Sequence, residues 1–305
     1  MALTGATGFV GGATMRQLLR KGFHVKALVR PGRSLPPEQG LEFISGSLDD
    51  RDSLEQLVSN CSAVIHVAGA VSGRNYGDFA RTNAAGCARL VDAIRKHCKP
   101  VRLIHVSSLA AREPGLSDYA ASKRAGEEII AASQLDWQII RPPAVYGPDD
   151  PALAPFWRLL AGGWLPRIGQ PTARFSLIHV EDLSAALVRL VTANRAENTT
   201  TCLHDGKING YDWSEIATIA AAIRGKPVRI VPVPAALLKS AGYFNLIWAS
   251  VRRARPPVLV PGKVPELAHP NWVCDNTQLP GCPDWKPSMQ FNDCLTDLPG
   301  WSRYR

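Results

Sequence analysis

The chain has no apolar run approaching the roughly 18 uninterrupted residues of a membrane span, so no integral span is expected. Its opening, MALTGATGFVGG, lacks the charged start and long apolar stretch of a secretory signal, which points to the cytoplasm. Cysteine is scattered: Cys61, Cys87, Cys98, Cys202, Cys274, Cys282 and Cys294 make an odd number with no C-x-x-C pair. Neither a disulfide framework nor a metal site is expected, and the thiols read as free. A dense basic tract is also missing. Only Arg252, Arg253 and Arg255 stand close together, so the formal charge of +9 predicts no nucleic-acid partner. Internal repeats and low-complexity segments are absent as well.

What is present is 305 residues with 46% hydrophobic content, enough for one large α/β domain or a nucleotide-binding domain with a smaller lobe. Short β-branched runs alternate with longer helical patterns, which predicts βαβ units and a doubly wound parallel sheet. Strands are predicted over 24–29, 41–45, 63–67, 101–106, 137–141 and 176–180, and helices over 11–21, 50–59, 78–96, 118–133 and 181–193. The strand runs are apolar almost throughout, as strands covered by helices on both faces should be. Pro142, Pro143, Pro148, Pro151 and Pro155 then break regular structure, so the chain is expected to leave the sheet there. The expected division gives 1–150, with 173–195 returning to it, to the nucleotide-binding domain, and 196–305 with 151–172 to a substrate lobe.

The motif Thr4-Gly5-Ala6-Thr7-Gly8-Phe9-Val10-Gly11 runs straight into a helical pattern. Glycines so spaced let the backbone turn tightly against a pyrophosphate, whose charge is held by the free N–H groups and positive end of the helix. This predicts a Rossmann-type dinucleotide site at Thr4, Gly5, Thr7, Gly8, Phe9, Val10 and Gly11. A site that chooses NAD places an acidic residue about 20 residues further on, to hold the ribose 2′-hydroxyl. Here Arg30 and Arg33 stand instead, and two guanidinium groups suit a 2′-phosphate. NADP(H) is therefore the expected cofactor, with NAD(H) the alternative.

Tyr119 and Lys123 lie one helical turn apart and on one face. A tyrosine of pKa near 10 is a poor acid or base at neutral pH, and a neighbouring ammonium would bring it toward the working range. The pair follows the strand 101–106 and Ser107-Ser108, at the carboxyl end where doubly wound sheets bind ligands.

The glycine motif, the Ser-Ser pair after an apolar strand and Y-x-x-x-K together resemble the extended branch of the short-chain dehydrogenases/reductases, the NAD-dependent epimerase/dehydratase family. The resemblance implies that Tyr119 exchanges a proton with the substrate oxygen and that Lys123 holds the nicotinamide ribose and tunes Tyr119. Ser108, with Ser107 as the alternative, would hydrogen-bond the reacting oxygen. Asn83 resembles the asparagine that steadies the active-site helix and a proton relay. Val67, Ala68 and Gly69 match the segment lining the adenosine ribose, with Gly69 in place of an alanine and His66 read as a packed residue. Ser47 and Leu48 match the adenine segment, although serine replaces its usual aspartate. Pro142 and Val145 fall in the loop beside the nicotinamide. Members of the branch commonly dimerise, which implies a homodimer. One departure concerns the start: only three residues precede the glycine motif, where the family has about five. A start read too late and a real shortening of the first strand both account for it.

Extended members divide into nucleotide-sugar epimerases or dehydratases and reductases of larger apolar substrates, similar to dihydroflavonol reductases and hydroxysteroid dehydrogenases. The epimerases carry an arginine where this chain has Phe175, with Arg174 one residue out of register. The expected activity is thus NAD(P)(H)-dependent interconversion of a ketone and a secondary alcohol on a hydrophobic small molecule. A nucleotide-sugar enzyme and a non-catalytic cofactor-binding regulator are the alternatives. The apolar stretches 235–238 and 243–248 fit a core helix first, a pocket lining second, and, followed by the arginines, a membrane surface third.

Overall fold

The computed structural model describes residues 1–97, 100–193, 198–252, 257–274 and 278–304, so Cys98, Arg253 and Arg255 lie outside the described residues. In chain order the strands are Ala2–Thr4 (β1), Val25–Val29 (β2), Leu41–Ser45 (β3), Ala63–His66 (β4), Arg102–Val106 (β5), Asp136–Arg141 (β6), Ala144–Tyr146 (β7), Trp164–Ile168 (β8), Arg174–Phe175 (β9), Leu177–His179 (β10), Thr199–Cys202 (β11), Tyr211–Asp212 (β12), Arg229–Val233 (β13) and Asn271–Trp272 (β14). The longer helices are Phe9–Arg20 (α1), Arg51–Val58 (α2), Tyr76–Asn83 (α3), Ala85–Arg95 (α4), Asp118–Ala131 (α5), Ala154–Ala161 (α6), Val180–Thr192 (α7), Trp213–Arg224 (α8) and Ala235–Val251 (α9).

Seven strands pair in parallel in the order β11-β6-β5-β4-β1-β2-β3. The winding direction reverses between β1 and β4, which opens a crevice at their carboxyl ends, the place where such sheets bind ligands. The expected doubly wound sheet is therefore present. Its first strand is only Ala2–Thr4, yet all three residues are buried and paired on both sides. Met1 extends that pairing: its ammonium donates to His24 O at 2.8 Å, and its carbonyl accepts from Lys26 N at 2.8 Å. α1 and α7 cover one face through Met15, Leu18, Leu183 and Leu187, and α2, α4 and α5 cover the other through Leu54, Leu90, Ile94 and Ile130.

Three expectations about elements are corrected. The strand expected to rejoin the sheet at 176–180 forms β10, which pairs with β7 in a separate two-stranded sheet. The edge beside β6 belongs instead to β11, from the stretch that sequence patterning gives to the lobe. The double proline after β6 explains the first result, because Pro142 and Pro143 turn the chain out of the sheet before β7 begins. The helix expected over 78–96 is broken at Ala84 into α3 and α4. At that break Asn83 turns its side chain away to bond a loop and a neighbouring helix.

The remainder packs around a second core of Tyr146, Trp157, Tyr211, Phe291 and Trp301, with β8 paired to β13 and β9 held between β12 and β14. Trp301 is fully buried, and its indole N–H donates to Trp157 O at 3.0 Å, which ties the end of the chain to α6. α9 overturns the core-helix expectation: of its 17 residues only Gly242 and Ala249 are buried. Among the described residues no helix is long and apolar enough to cross a membrane.

Candidate active site

The glycine turn leaves no space where a dinucleotide would need the backbone close. Gly5 has φ +79°, and a Cβ there would stand 2.7 Å from Ala68 N; a Cβ on Gly11 would stand 2.0 Å from Gly5 O. α1 begins after Gly8 with no side-chain cap and no acid in its first turn, so its leading N–H groups face outward unclaimed. Thr7 and Gly8 are exposed, and Phe9 and Val10 half-buried. A tight cradle with free amides at a helix start fits a diphosphate. Thr4 sits behind this turn: fully buried, its hydroxyl bonds His66 Nδ1 at 2.7 Å and accepts from Ala68 N at 3.1 Å. It braces the turn from below.

Arg30 and Arg33 are exposed at the end of β2, joined by a turn in which Arg33 N donates to Arg30 O at 3.0 Å. Ser47 accepts from Asp49 N at 3.2 Å in a local turn, and Leu48 is buried against Gly86. Val67 and Ala68, half-buried, and Gly69, exposed, follow β4. The loop after β7 closes on α1, since a Cβ on Gly147 would meet the Phe9 ring at 3.1 Å.

The residues expected to react gather on α5 and the end of β5. Ser117 caps α5 by accepting from Ala120 N at 3.0 Å. Lys123 is buried and donates from Nζ to Val106 O at 2.8 Å, which fixes α5 to the sheet. Asn83, also buried, accepts from Ala70 N at 2.8 Å and donates to Ala70 O at 3.0 Å and Ser122 Oγ at 2.9 Å. It thereby holds the post-β4 loop and α5 together. Ser108 is hydrogen-bonded to the Tyr119 phenol and accepts from Ala110 N at 3.2 Å. Ser107 Oγ is buried without a partner. Against the expectation that Lys123 brings Tyr119 toward the working range, burial pushes Tyr119 up to about 12, opposed by its hydrogen bond from Ser108 and reinforced by Glu266, while burial lowers Lys123.

Two groups that sequence reasoning missed reach the site from the lobe. Lys263 places its ammonium 4.5 Å from the Tyr119 ring centroid, and Glu266 accepts from Ser117 Oγ at 2.5 Å and pairs with Lys263 at 3.8 Å. No motif marks either one.

Tyr119 and Ser108 open on a cleft of about 410 Å³ whose far wall includes Leu153, Phe156, Phe175, Trp213 and Leu267. Pro142 also lines it, whereas Val145 packs into the core under the sheet. Arg174 is at its edge but engaged: it donates to Asp212 Oδ2 at 3.0 Å, Glu215 Oε2 at 2.9 Å and Gly210 O at 3.0 Å. Phe175 packs on Trp213 with ring centroids 5.0 Å apart.

Beneath the site, His66, Cys87 and His105 bring potential metal-ligating atoms within 4.8 Å of one another, all buried. The two rings stack at 5.1 Å, and Cys87 Sγ donates to Asn83 O at 3.0 Å. Burial, aided by Lys123, lowers both histidines, His66 to about 3, and burial raises Cys87 to about 12. The trio is thus uncharged at neutral pH and packs under Asn83 and Lys123 as support.

Residues 1–202 match the NAD dependent epimerase/dehydratase family. The chain is 37% identical over 278 residues to ceramide reductase of Caulobacter vibrioides, covering 90% of this chain and 85% of that protein. It is 28% identical over 261 residues to UDP-glucose 4-epimerase of Vibrio cholerae, covering 76% and 78% of the two chains. The solved structure of MoeE5 in complex with UDP-glucuronic acid and NAD superposes with a TM-score of 0.74 at 20% identity over 99% of this chain and 98% of that one, a likeness of fold.

Proposed function

Because the chain belongs to the NAD dependent epimerase/dehydratase family, we propose that it interconverts a ketone and a secondary alcohol on an apolar small molecule, with NADP(H) preferred over NAD(H). That it is an NAD(P)-dependent enzyme of the short-chain dehydrogenase/reductase type follows from the family and its reductase relatives. The observation that carries the substrate class is the cleft itself: the reacting pair faces aromatic and aliphatic side chains, and Arg174 is already occupied by Asp212 and Glu215 rather than free for a diphosphate. The relative named ceramide reductase adds support for an apolar carbonyl.

The turn at Gly5 to Gly11 and the start of α1 would hold the cofactor diphosphate, Arg30 and Arg33 a 2′-phosphate, and Gly69 with Lys123 the inner ribose. When bound, the nicotinamide supplies or accepts the hydride. In reduction Tyr119 donates its phenolic proton to the carbonyl oxygen, and Ser108 donates a hydrogen bond to the same oxygen. A phenol raised to about 12 keeps that proton at neutral pH, which suits the reductive direction. Asn83 holds α5 so that Tyr119 stays over the cleft. α4 and α5, packed side by side, supply the faces for the homodimer that belongs to this reading.

The test is turnover of apolar ketones and of nucleotide sugars with NADPH and NADH, on the native chain and on Tyr119→Phe. Ketone reduction faster with NADPH is expected, reduced about a thousandfold by Tyr119→Phe with NADPH affinity retained. Epimerisation of a nucleotide sugar without ketone turnover would replace the reading, and equal activity in the variant would remove Tyr119 from the chemistry.

A further inference from the structure

We propose that α9 lies flat on an anionic lipid bilayer and carries the protein to the membrane surface. The helix is predominantly apolar, a composition that ordinarily marks a buried helix, yet it is fixed to the protein along one narrow strip. Gly242 packs where a Cβ would stand 2.7 Å from Pro261 N, Asn245 donates to Leu259 O at 3.4 Å, and Ala249 completes the contact. The opposite side carries an outward apolar band broken only by Ser240: Leu237 is 61% exposed, Phe244 64%, Ile247 65%, Trp248 50% and Val251 75%. Spacings of three, four and seven residues put these side chains on one face. A patch of this kind on a water-soluble chain marks a binding surface.

Charge decides which surface. Between Glu215 and Glu266 the sequence carries eight Lys and Arg and no Asp or Glu, in a chain whose acids are elsewhere common. Of these, Lys239 and the capping residue Arg252 are exposed on α9 itself. Arg252 stacks over Trp248 at 4.2 Å, so a cation flanks the indole where headgroups would lie above acyl chains. A protein partner would be expected to bring acids to so basic a flank, but a bilayer of acidic lipids answers both the charge and the featureless apolar band. Seventeen residues at about 1.5 Å each make roughly 26 Å, a length that lies in the interface.

The placement has a consequence for access. Tyr243 and Leu246 of α9 share a side cavity of about 220 Å³ with Tyr119 and Lys263. A bilayer against α9 therefore lies beside a route to Tyr119, and entry of an apolar substrate from the membrane rests on the reductase reading. The docking itself does not.

Flotation with vesicles of phosphatidylcholine containing phosphatidylglycerol, and with phosphatidylcholine alone, tests it without substrate or cofactor. The chain is expected to float with the anionic vesicles and not the neutral ones, with binding weakened by salt. The triple variant Phe244→Ser, Ile247→Ser, Val251→Ser is expected to bind about tenfold more weakly or worse. A second variant, Lys239→Glu with Arg252→Glu, changes only exposed positions and covers the case in which the triple variant fails to fold; it should lose the anionic preference. The proposal is overturned by no flotation of the native chain with either vesicle, or by both variants floating as it does. A native dimer that the triple variant converts to monomer, with no vesicle binding, would assign the band to a second copy of the chain and equally overturn it. Vesicle binding without ketone turnover would leave the docking standing and remove the reductase reading.

Discussion

On the sheet side of the cleft Asn83, Ser108 and Lys123 are each tied to backbone or side-chain partners, and α5 is further clamped to β6 by Arg141 and Glu127. On the lobe side α9 meets the protein through a strip of small residues and turns its large apolar ones outward. In the proposed mechanism this wall handles the proton, and it is over-determined, as chemistry at one oxygen tolerates little displacement. The far wall of the cleft is apolar, and beside the site α9 is only loosely tied to the protein. The two walls join at Tyr119, whose hydroxyl is held from the sheet by Ser108 and whose ring is faced from the lobe by Lys263.

The clamp on the sheet side gives the largest expected effect. Arg141 donates from Nε to Glu127 Oε1 at 2.8 Å and from Nη2 to Oε2 at 2.5 Å, with side-chain exposures of 16% and 5%. The hydrogen bond to Glu127 also raises the arginine pKa, so removing the carboxylate leaves a charge that cannot neutralise. Glu127→Leu is expected to cost about 3 to 5 kcal/mol in denaturant unfolding, as broken buried pairs do. A cost below about 1 kcal/mol, the range of exposed pairs, would show that the sheet wall is not built on this clamp.

Much of this wall is legible in the sequence. The glycine motif, the apolar strand runs and the one-turn spacing of Tyr119 and Lys123 are local patterns, and the chain folds them into the arrangement they suggest. The lobe is less legible for physical reasons. Thr199–Cys202 is β-branched but only four residues long and without an apolar run, too short a signal to place a sheet edge, while 176–180 has the apolar character of a buried strand and pairs elsewhere. An apolar helix reads the same whether it is covered by protein or left outward, and only the contacts of Gly242 and Ala249 reveal which face of α9 is free. Glu266 meets Ser117 across 149 residues, a separation that no spacing rule spans.

Glycines at the two helix contacts allow a direct comparison of moderate size. A Cβ on Gly126 would stand 2.2 Å from Asn83 O, and one on Gly242 would stand 2.7 Å from Pro261 N. Alanine at either position forces backbone apart, at about 1 to 3 kcal/mol. The functional outcomes should differ. Gly126→Ala moves α5 away from Asn83 and is expected to lower kcat on a small soluble ketone, whereas Gly242→Ala moves only the loosely held helix and should mainly change KM for apolar substrates. Equal losses of kcat would mean that the lobe is as tightly coupled to the chemistry as the sheet.

The smallest expected effect concerns the one proton both walls touch. In the proposed mechanism alcohol oxidation needs the phenolate of Tyr119, so its rate rises with pH as that proton is lost, and reduction needs the phenol. Burial sets the raised pKa, the bond with Ser108 lowers it, and Glu266 raises it. Removing a group that lowers the pKa must move the rising limb of oxidation to higher pH, and removing one that raises it must move the limb lower. Ser108→Ala should therefore shift the kcat profile for oxidation upward in pH, together with a fall in kcat from the lost bond to substrate. Glu266→Gln keeps the shape of the side chain and should shift the profile downward without that fall. Because Glu266 belongs to the lobe, the downward shift would show that the selective wall also adjusts the proton; an unmoved profile in Glu266→Gln, alongside a moved one in Ser108→Ala, would confine acid–base control to the sheet.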